Sequence, residues 1–390
     1  MVPPMPNLVK KQSWSEVNKL RKEERKKWKE QNLAKKLEKK KLKEIVENER
    51  ENKDVKIQQV STLSIAVPGS ILENAQSQEL RTYVAGQIAR AACIFQIDEI
   101  IIFDDYGDEA SAKKSTLDNE NGGVSARHSC IQLGRILQYL ECPQYLRKHF
   151  FPIHKDLKFC GLLNPLNAPH HLAPNEEFLF REGVVLNKPS KNGKGSFINV
   201  GLLKEVHTDK LLTPGIRCTV RLDLKEQSNK KLKGTVVSPS VPRKETGVYW
   251  GYTVRIATNL SKVFTQCPYK EGYDLSIGTS DKGESVDEFA CPSYKHLLIV
   301  FGGVRGLEMA LENDPVLDAD DPKLLFDSYL NTVPGQGSKT IRTEEAVLIS
   351  LSALRSKLNP EVKPVKMDEQ GLVNRDEMVV EEEDPMSRFD

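Results

Sequence analysis

The sequence predicts an α/β protein built on a parallel sheet, and three segments support this. A strand at Val60–Val67, a helix at Glu79–Phe95 and a buried strand at Asp98–Phe103 form the βαβ opening of such a sheet. Near the C-terminus, two apolar strands are each followed by a glycine-containing loop, Phe301–Glu308 and Asn331–Ile341. We therefore expect an α/β ligand site at these two loops.

The final loop leads into a long apolar helix. Glycine permits positive φ and close approach of a ligand, so Gly335 and Gly337 suit main-chain contact with a bound molecule. Thr343 is the predicted N-cap of the following helix, and Glu344 and Glu345 suit the positive end of its dipole. The helix is apolar almost all round, which predicts burial against a sheet or a second subunit.

The spacing of both loops excludes two nucleotide-binding motifs. A P-loop requires a glycine directly before its lysine, but Ser338 precedes Lys339 and Val333 occupies the earlier glycine position. The loop Phe301–Glu308 reads G-G-x-x-G, so it also lacks the dinucleotide fingerprint. Two ordinary tight turns remain the alternative.

The middle of the chain has a different pattern of apolar and polar residues. Residues 107–126 are polar and predict a surface loop, and a helix is expected at His128–Glu141. From Phe178 to Val248, short alternating runs broken by glycine and proline predict a small antiparallel barrel. Sheet strands resume at Val248–Ala257.

The predicted barrel offers cationic side chains beside Phe197, a ring that could stack on a base. The cations proposed as RNA contacts are Lys188, Lys191, Lys194, Arg217 and Arg221. Acidic residues share the segment, so an ordinary solvated barrel remains the alternative.

Charge is distributed unevenly over the 390 residues, although the formal net charge is only +2. Residues 1–56 contain 18 Lys and Arg against 10 Asp and Glu, whereas residues 359–390 form an acidic tail. A basic arm on a near-neutral body is typical of nucleic-acid binding, since lysines that neutralise phosphates release counterions. A solvated helix or a nuclear localisation signal would explain the same composition.

We expect a soluble intracellular protein without a metal site. No signal or transit pattern opens the sequence, and its longest apolar runs are too short to cross a bilayer. The seven cysteines form no C-x-x-C pair, which is typical of reduced thiols. His154, Cys160, His170 and His171 lack the paired spacing of a structural zinc site.

Taken with the two glycine loops, the segments Pro68–Asp105 and Gly272–Gly283 resemble the SPOUT class of trefoil-knotted RNA methyltransferases. The resemblance extends from about Ser61 to Leu354. More narrowly, the chain resembles the eukaryotic SPOUT-domain methyltransferases, one vertebrate member of which is also called a centromere protein. The resemblance implies a knotted parallel-sheet methyltransferase domain with an OB-like insertion. The charge pattern adds a basic helical N-terminal arm to this fold.

The resemblance also implies S-adenosyl-L-methionine as cofactor. The residues that it assigns to the cofactor lie in three segments: Lys282; Gly302, Gly303 and Glu308; and Asn331, Thr332, Gly335, Gln336, Gly337 and Ile341.

For catalysis, Arg90 occupies the position of an arginine that helps to activate the acceptor in the 2′-O-methylating branch. The asparagine that this branch carries six residues earlier is Val84 here, which leaves the acceptor atom open. Arginine is almost always protonated, so holding a phosphate or stabilising an oxyanion is easier for it than acting as a base. Arg342 is the second candidate, and a structural arginine paired near Glu79 or Asp98 is the alternative reading of Arg90.

The expected function is methylation of RNA by a homodimer, with a uridine base of ribosomal RNA ahead of a 2′-O. The predicted domains are an arm (1–56), a split methyltransferase domain (57–177 and 248–358), the barrel (178–247) and a tail (359–390). The alternative is a scaffold with spindle or kinetochore partners, in which the pocket is structural. We expect a nuclear or nucleolar protein, with cytoplasmic and mitotic spindle pools also open.

Overall fold

The computed structural model describes residues 61–106, 114–116, 125–188, 195–223 and 232–358, without the side chains of 114–116 and 125–126. The predicted basic arm, the acidic tail, most of the predicted surface loop, and Lys191 and Lys194 lie outside the described residues.

The described strands are β1 (Thr62–Pro68), β2 (Glu99–Phe103), β3 (Lys114–Thr116), β4 (Ser125–Arg127), β5 (Phe180–Val185), β6 (Ser196–Asn199), β7 (Val206–Thr208), β8 (Arg217–Leu222), β9 (Leu232–Val237), β10 (Thr253–Ala257), β11 (Leu275–Ser285), β12 (His296–Phe301) and β13 (Ser328–Asn331). The described α-helices are α1 (Gln78–Ile94), α2 (His128–Glu141), α3 (Gln144–Phe150), α4 (Val241–Thr246), α5 (Leu260–Thr265), α6 (Glu308–Glu312) and α7 (Thr343–Leu354). None of the helices in these ranges has the length and apolar character that crossing a bilayer requires.

Six strands form a parallel sheet in the order β10-β2-β1-β12-β11-β13. Its central strands are continuous apolar runs because both faces of the sheet are covered. On one face, Ile65 and Ile100 pack beneath α1, α2 and α7. On the other face, Ala66 and Ile101 join the side chains of α5 and α6. The predicted parallel α/β sheet is therefore confirmed.

The βαβ opening follows the prediction closely. β1 is described from Thr62, since Val60 lies outside the described residues, and α1 spans Gln78–Ile94. The helix starts where it does because Ser77 accepts a hydrogen bond from Leu80 N (3.3 Å), an N-cap contact.

The strand predicted at Val248–Ala257 is shorter than expected, because β10 begins only at Thr253. The preceding residues serve as packing instead. Tyr249 Oη donates to Ile97 O (2.8 Å), and Tyr252 Oη donates to Leu137 O (3.0 Å). Gly251 adopts a φ of +87°, which ends extended pairing before β10.

The predicted inserted barrel is confirmed as a closed five-stranded barrel in the order β5-β6-β7-β9-β8. Val185, Ile198, Val206 and Val220 fill its centre. The pairing departs from the expected all-antiparallel pattern at one place, since β7 and β9 run parallel.

A buried ionic network attaches the barrel to the sheet domain. Arg217 of β8 donates to both carboxyl oxygens of Glu141 at the end of α2 (2.6 and 2.9 Å) and to Glu182 of β5 (2.8 Å). Glu182 also accepts from Thr219 (2.6 Å) and from Trp250 Nε1 (2.7 Å). One arginine thus joins carboxylates from both parts of the fold.

Candidate functional site

A cavity of about 440 Å³ lies at the carboxyl ends of the last strands of the sheet. The loops that follow β12 and β13 form its walls, and β11 runs between these two strands. Ligands of open α/β sheets bind at the carboxyl ends of strands, so the position suits a binding site.

The loop after β12 is a tight turn that excludes side chains. A Cβ on Gly302 would lie 2.7 Å from the carbonyl carbon of Gly306 and 2.8 Å from Leu307 N. Gly306 has a φ of +75° and donates its N–H to Gly303 O (3.0 Å). Gly302 and Gly306 are therefore required by the turn itself.

This turn is fastened to the last helix by Thr343, whose hydroxyl donates to Gly302 O (2.9 Å). The prediction that Thr343 caps α7 was wrong. Arg342 is the N-cap residue and Thr343 is the first helical residue, since its hydroxyl is used between elements instead of on its own helix. Glu345 accepts from Arg342 N (3.1 Å), as an acidic residue in a first turn can.

The final loop is held by side chains of β13 and α7. Asn331 Oδ1 accepts from Val333 N (3.0 Å), and its Nδ2 donates to Asp281 O on β11 (2.9 Å). Thr332 hydrogen-bonds Ser350 of α7 (2.8 Å). Asn331 thus ties the final loop to β11, the strand between the two cavity loops.

Most of the segment Gly272–Gly283 is strand, because β11 begins at Leu275. The pairing of β11 with β13 shifts register between Thr279 and Glu284. At this irregularity Lys282 donates to Glu308 Oε1 (2.6 Å). The hydrogen bond and charge of Glu308 raise the pKa of the Lys282 ammonium.

The residues assigned to the cofactor divide into two groups. Six of the ten line the cavity: Gly302, Gly303, Asn331, Thr332, Gln336 and Ile341. Within the described ranges, the lining does not include Lys282, Glu308, Gly335 or Gly337. Gly335, with a φ of +72°, shapes the loop instead.

Arg90 lies away from this cavity. Its Nη1 donates to Leu166 O (2.6 Å) and Pro165 O (3.3 Å). The alternative pairing with Asp98 was wrong, because Asp98 forms its ion pair with Arg243. Two backbone carbonyls therefore hold the guanidinium at the surface of α1.

Arg342 lines the cavity with its side chain 72% exposed, and it approaches Glu344 at 3.9 Å. Of the two arginines proposed for catalysis, it is the one beside the candidate cofactor site.

A second cavity of about 470 Å³ lies between α1 and α7, where Arg90 forms part of the wall. Its apolar lining is exposed in this chain: Tyr83, Ile94, Leu348 and Ile349 are 55%, 52%, 45% and 37% exposed. The expected burial of α7 holds for one face, which contributes Val347, Leu351 and Leu354 to the core. The opposite face lies open.

The barrel cations already have acidic partners. Lys188 pairs with Glu205, and Arg221 lies 3.1 Å from Glu245. Both cations remain about half exposed. Arg217 differs, because its charge is balanced by Glu141 and Glu182. Arg217 therefore serves the attachment of the barrel and not a phosphate.

The histidines that the sequence placed near Cys160 are also structural. Nε2 of both His170 and His171 approaches Glu141 O, at 3.0 and 2.7 Å. In the part of the chain that the structure describes, no three His, Cys, Asp or Glu side chains are arranged to hold a metal ion.

One cluster near the cavity was not found from the sequence. Asp104 and Asp105 follow β2 and are buried, and Ser70 donates to Asp105 Oδ2 (2.6 Å). Burial raises the pKa of Asp105 to about 6. Two consecutive aspartates after a buried strand were the available signal, but the predicted strand ended at Phe103 and the aspartates were given no role.

Comparison with known proteins gives consistent matches. A family model described as "Putative RNA methyltransferase" matches residues 62–354. A Drosophila melanogaster protein named 28S rRNA (uridine-N(3))-methyltransferase is 58% identical over 324 residues, which cover 81% of this chain and 66% of that protein. A Homo sapiens protein of the same name is 56% identical over 296 residues, covering 75% of this chain and 78% of the human protein. A Caenorhabditis elegans protein named "Putative methyltransferase spot-1" is 42% identical over 332 residues, covering 80% and 87%.

Proposed function

Because this chain belongs to that RNA methyltransferase family, which bears out its resemblance to the SPOUT class, we propose that it methylates N3 of a uridine in large-subunit ribosomal RNA. The methyl donor is S-adenosyl-L-methionine. The proposal for the acceptor rests on the names of the fly and human relatives, and it replaces the open choice between a base and a 2′-O.

The observation that carries the proposal is the cavity between the two glycine loops. Its volume of about 440 Å³ is in the range of small-molecule sites. The glycine turn at Gly302–Gly306 brings main-chain groups to its wall, and Asn331, Thr332 and Gln336 add neutral polar groups. Such a lining suits the neutral adenosine half of the donor, which needs no charged partner.

When bound, S-adenosyl-L-methionine supplies an electrophilic methyl group on a sulfonium. The residues of the chain would then act by position: the two loops hold the donor, and the RNA base is held in line with it. Arg342, exposed at the cavity, is suited to a phosphate of the RNA, since a guanidinium offers fixed donors and a permanent charge.

The test is calorimetric binding of S-adenosyl-L-methionine to the full chain and to Gly303→Arg. Gly303 lines the cavity, and a Cβ there would already lie 3.0 Å from Asp105 Oδ2, so a long side chain has only the cavity to enter. We expect binding to fall below detection in Gly303→Arg.

The matched control is Gly161→Ala, at a glycine away from the cavity where an added Cβ would meet no atom within 4 Å. It should bind the donor as the unchanged protein does. Equal donor binding by Gly303→Arg would refute the assignment of the cavity. Failure of the intact enzyme to form N3-methyluridine in ribosomal RNA, read by mass spectrometry of nucleosides, would refute the acceptor.

We also propose that the protein is a homodimer joined through α1 and α7. The support is the open apolar groove between these helices, where Tyr83, Ile94 and Leu348 are exposed. An apolar surface of this kind, flanked by polar residues, is typical of protein interfaces.

A nuclear or nucleolar location follows from a ribosomal RNA substrate and remains a proposal, as does a spindle or kinetochore role. Fluorescence microscopy of the tagged full chain through the cell cycle tests both.

A further inference from the structure

Two buried carboxylates lie where three neighbouring strands end. Asp104 and Asp105 follow β2, Ser70 follows β1, and Gly303 follows β12; these strands are adjacent in the sheet. The two aspartates are 5% and 2% exposed. The donor-binding role of the cavity uses neither of them.

The two carboxylates differ in how their charge is balanced. Asp104 Oδ1 lies 3.3 Å from Arg127 Nε and accepts a hydrogen bond from Tyr106 N (3.1 Å). Asp105 forms no ion pair with any described Lys, Arg or His side chain, and its Oδ2 accepts from Ser70 Oγ. Its Oδ1 is closed to solvent and has no hydrogen-bond partner among the described residues.

A buried acceptor without a hydrogen-bond partner lowers the stability of the folded protein, because it has lost its hydrogen bonds to water. Its presence therefore calls for an explanation. Arg127 presents the complementary case, because its Nε and Nη2 are buried without a hydrogen bond within the described ranges. Its guanidinium stacks over the ring of Tyr106, 4.2 Å from the centroid. Nε still faces Asp104 Oδ1 as an ion pair, so one acceptor of Asp105 and one donor of Arg127, Nη2, are unused beside this pair of aspartates.

The carboxyl lies directly behind the wall of the donor cavity. A Cβ on Gly303 would be 3.0 Å from Asp105 Oδ2 and 3.3 Å from Ser70 Oγ, and Gly303 itself lines the cavity. A base that reached this carboxyl would stand next to the bound donor. Since Oδ1 is closed in the unbound chain, a base can reach this oxygen only if the wall at Gly303 shifts.

The proposed reaction requires a proton acceptor, because N3 of uridine carries a hydrogen. The imide edge of uracil offers this N–H between two carbonyl oxygens, which matches the unused acceptor of Asp105 together with the unused donor of Arg127.

We propose that Asp105 accepts the N3 proton of the target uridine, while Arg127 donates to a neighbouring uracil oxygen; the proposal rests on the proposed function. The N3 electron pair forms the bond to the methyl group, and the methyl–sulfur bond breaks with its electron pair passing to sulfur. The proton remains on Asp105 and then passes to water. Arg127 stabilises the negative charge that collects on the uracil oxygen.

The electrostatic surroundings suit a base that works near neutral pH. Burial raises the pKa of Asp105 to about 6, the hydrogen bond from Ser70 opposes the rise, and the charge of Asp104 adds to it. Tyr106, Glu73 and Arg127 also face this region, as does Arg305 from the glycine turn. A general base is most effective when its pKa lies close to the working pH.

The main test compares the full chain with Asp105→Asn. We expect single-turnover methylation of a uridine RNA to fall by about 100-fold or more, with donor affinity by calorimetry unchanged. Replacing the target by 5-fluorouridine, whose N3 is more acidic, should restore much of the lost rate in the variant but change the unaltered enzyme little. A similar loss on both RNAs, or no loss, would overturn the proposal.

Asp314→Asn is the matched control, since Asp314 is also buried but accepts only from backbone N–H groups of Ser261, Val316 and Leu317. It should leave the ratio of rates on the two RNAs unchanged. Ser70→Ala removes a hydrogen bond that favours the ionised Asp105, so the acid limb of its pH–rate profile should move to higher pH. An unmoved limb would argue against Asp105 as the titrating group.

A binding measurement separates this proposal from the proposed function. With S-adenosylhomocysteine bound, affinity for the uridine RNA should increase between pH 5 and pH 8, and it should do so less for an N3-methyluridine RNA or for Asp105→Asn. Fluorescence anisotropy gives these values without turnover. A pH-dependent preference for uridine without any methyl transfer would refute the proposed function but support the contact between Asp105 and N3. Absence of that preference would refute the contact.

Discussion

Glu141 is a buried carboxylate that holds two parts of the fold together. Burial by itself raises the pKa of a carboxyl, but here the hydrogen bond from His170 and the charge and hydrogen bonds of Arg217 outweigh it and lower the pKa of Glu141 to about 2. The same residue terminates α2 and holds the barrel through Arg217. The ionised form of this one carboxylate therefore stabilises the attachment of the barrel to the sheet domain.

Glu141→Gln should reduce the free energy of unfolding at neutral pH by about 3 kcal/mol, from a pKa difference of about 2.5 between the unfolded and the folded chain. Because the folded pKa is the lower one, this contribution is complete above pH 4.5 and is lost as pH falls towards 2. Urea unfolding of both proteins should thus show a gap at pH 7 that shrinks by about half at pH 3.

The control for this prediction is Glu177→Gln, at an exposed carboxyl. It should behave like the unchanged chain at both values of pH. Burial lowers the pKa of His171 to about 4 and the charge of Glu141 opposes this shift, so the comparison should be repeated in a His171→Gln background, which removes the second titration. A gap that stayed constant with pH would contradict the assigned role of Glu141.

At this scale, sequence reasoning identified glycines better than it identified charges. Gly302 and Gly303 were found because a close turn leaves a pattern in the sequence, and the structure places them on the cavity wall. Arg217 was misjudged as an RNA contact, since the carboxylates that neutralise it are 76 and 35 positions earlier in the chain. Such a pairing depends on tertiary folding and leaves no local signal.

Among elements, α7 shows both what an apolar helix predicts and what it cannot specify. The sequence required burial, and Val347, Leu351 and Leu354 are buried in the sheet domain. Leu348 and Ile349 belong to the opposite face and remain exposed. An apolar composition on both faces does not distinguish a core helix from one that also serves an interface.

Leu348→Asp should convert the proposed dimer into a monomer. Leu348 lines the groove between α1 and α7, and a carboxylate placed there would have to be desolvated at the interface. Sedimentation equilibrium of the full chain is the measurement, with Leu324→Asp as control because Leu324 is 75% exposed outside the groove. Two variants with the same mass in solution would disprove this interface.

The strands and helices of the sheet domain were the most predictable elements. β2 and α2 follow from apolar runs of the right length, and their bounds agree with the expected ones to within a residue. The segment before β10 was misassigned because Tyr249, Trp250 and Tyr252 favour strands, whereas their polar tips are used as hydrogen-bond donors to other elements.

Across the whole molecule, positive and negative charges are concentrated in different segments of the chain. The described body is near neutral, and the surplus of eight positive charges lies in residues 1–56. Removing that arm should weaken RNA binding and reduce its dependence on salt, because fewer counterions are released. The logarithmic slope of affinity against salt should become shallower by about 0.7 for each single-strand phosphate that the arm no longer neutralises.

Deletion of residues 359–390 is the control for the arm. This tail is acidic, so its loss should leave affinity unchanged or slightly increased. An arm-deleted protein with the same salt slope as the full chain would show that the arm takes no part in RNA binding.

The insertion of the barrel also fixes the order in which a newly made chain can fold. β1 and β2 leave the ribosome first, but their outer neighbours β12 and β10 come from beyond the barrel, with Thr62 paired to His296 and Glu99 to Thr253. Until those residues are synthesised, the two early strands present unpaired edges, which are prone to aggregate. A chain stalled after the barrel would therefore expose these edges to aggregation, and the proposed methyl-donor cleft is completed only when β13 and α7 have been synthesised.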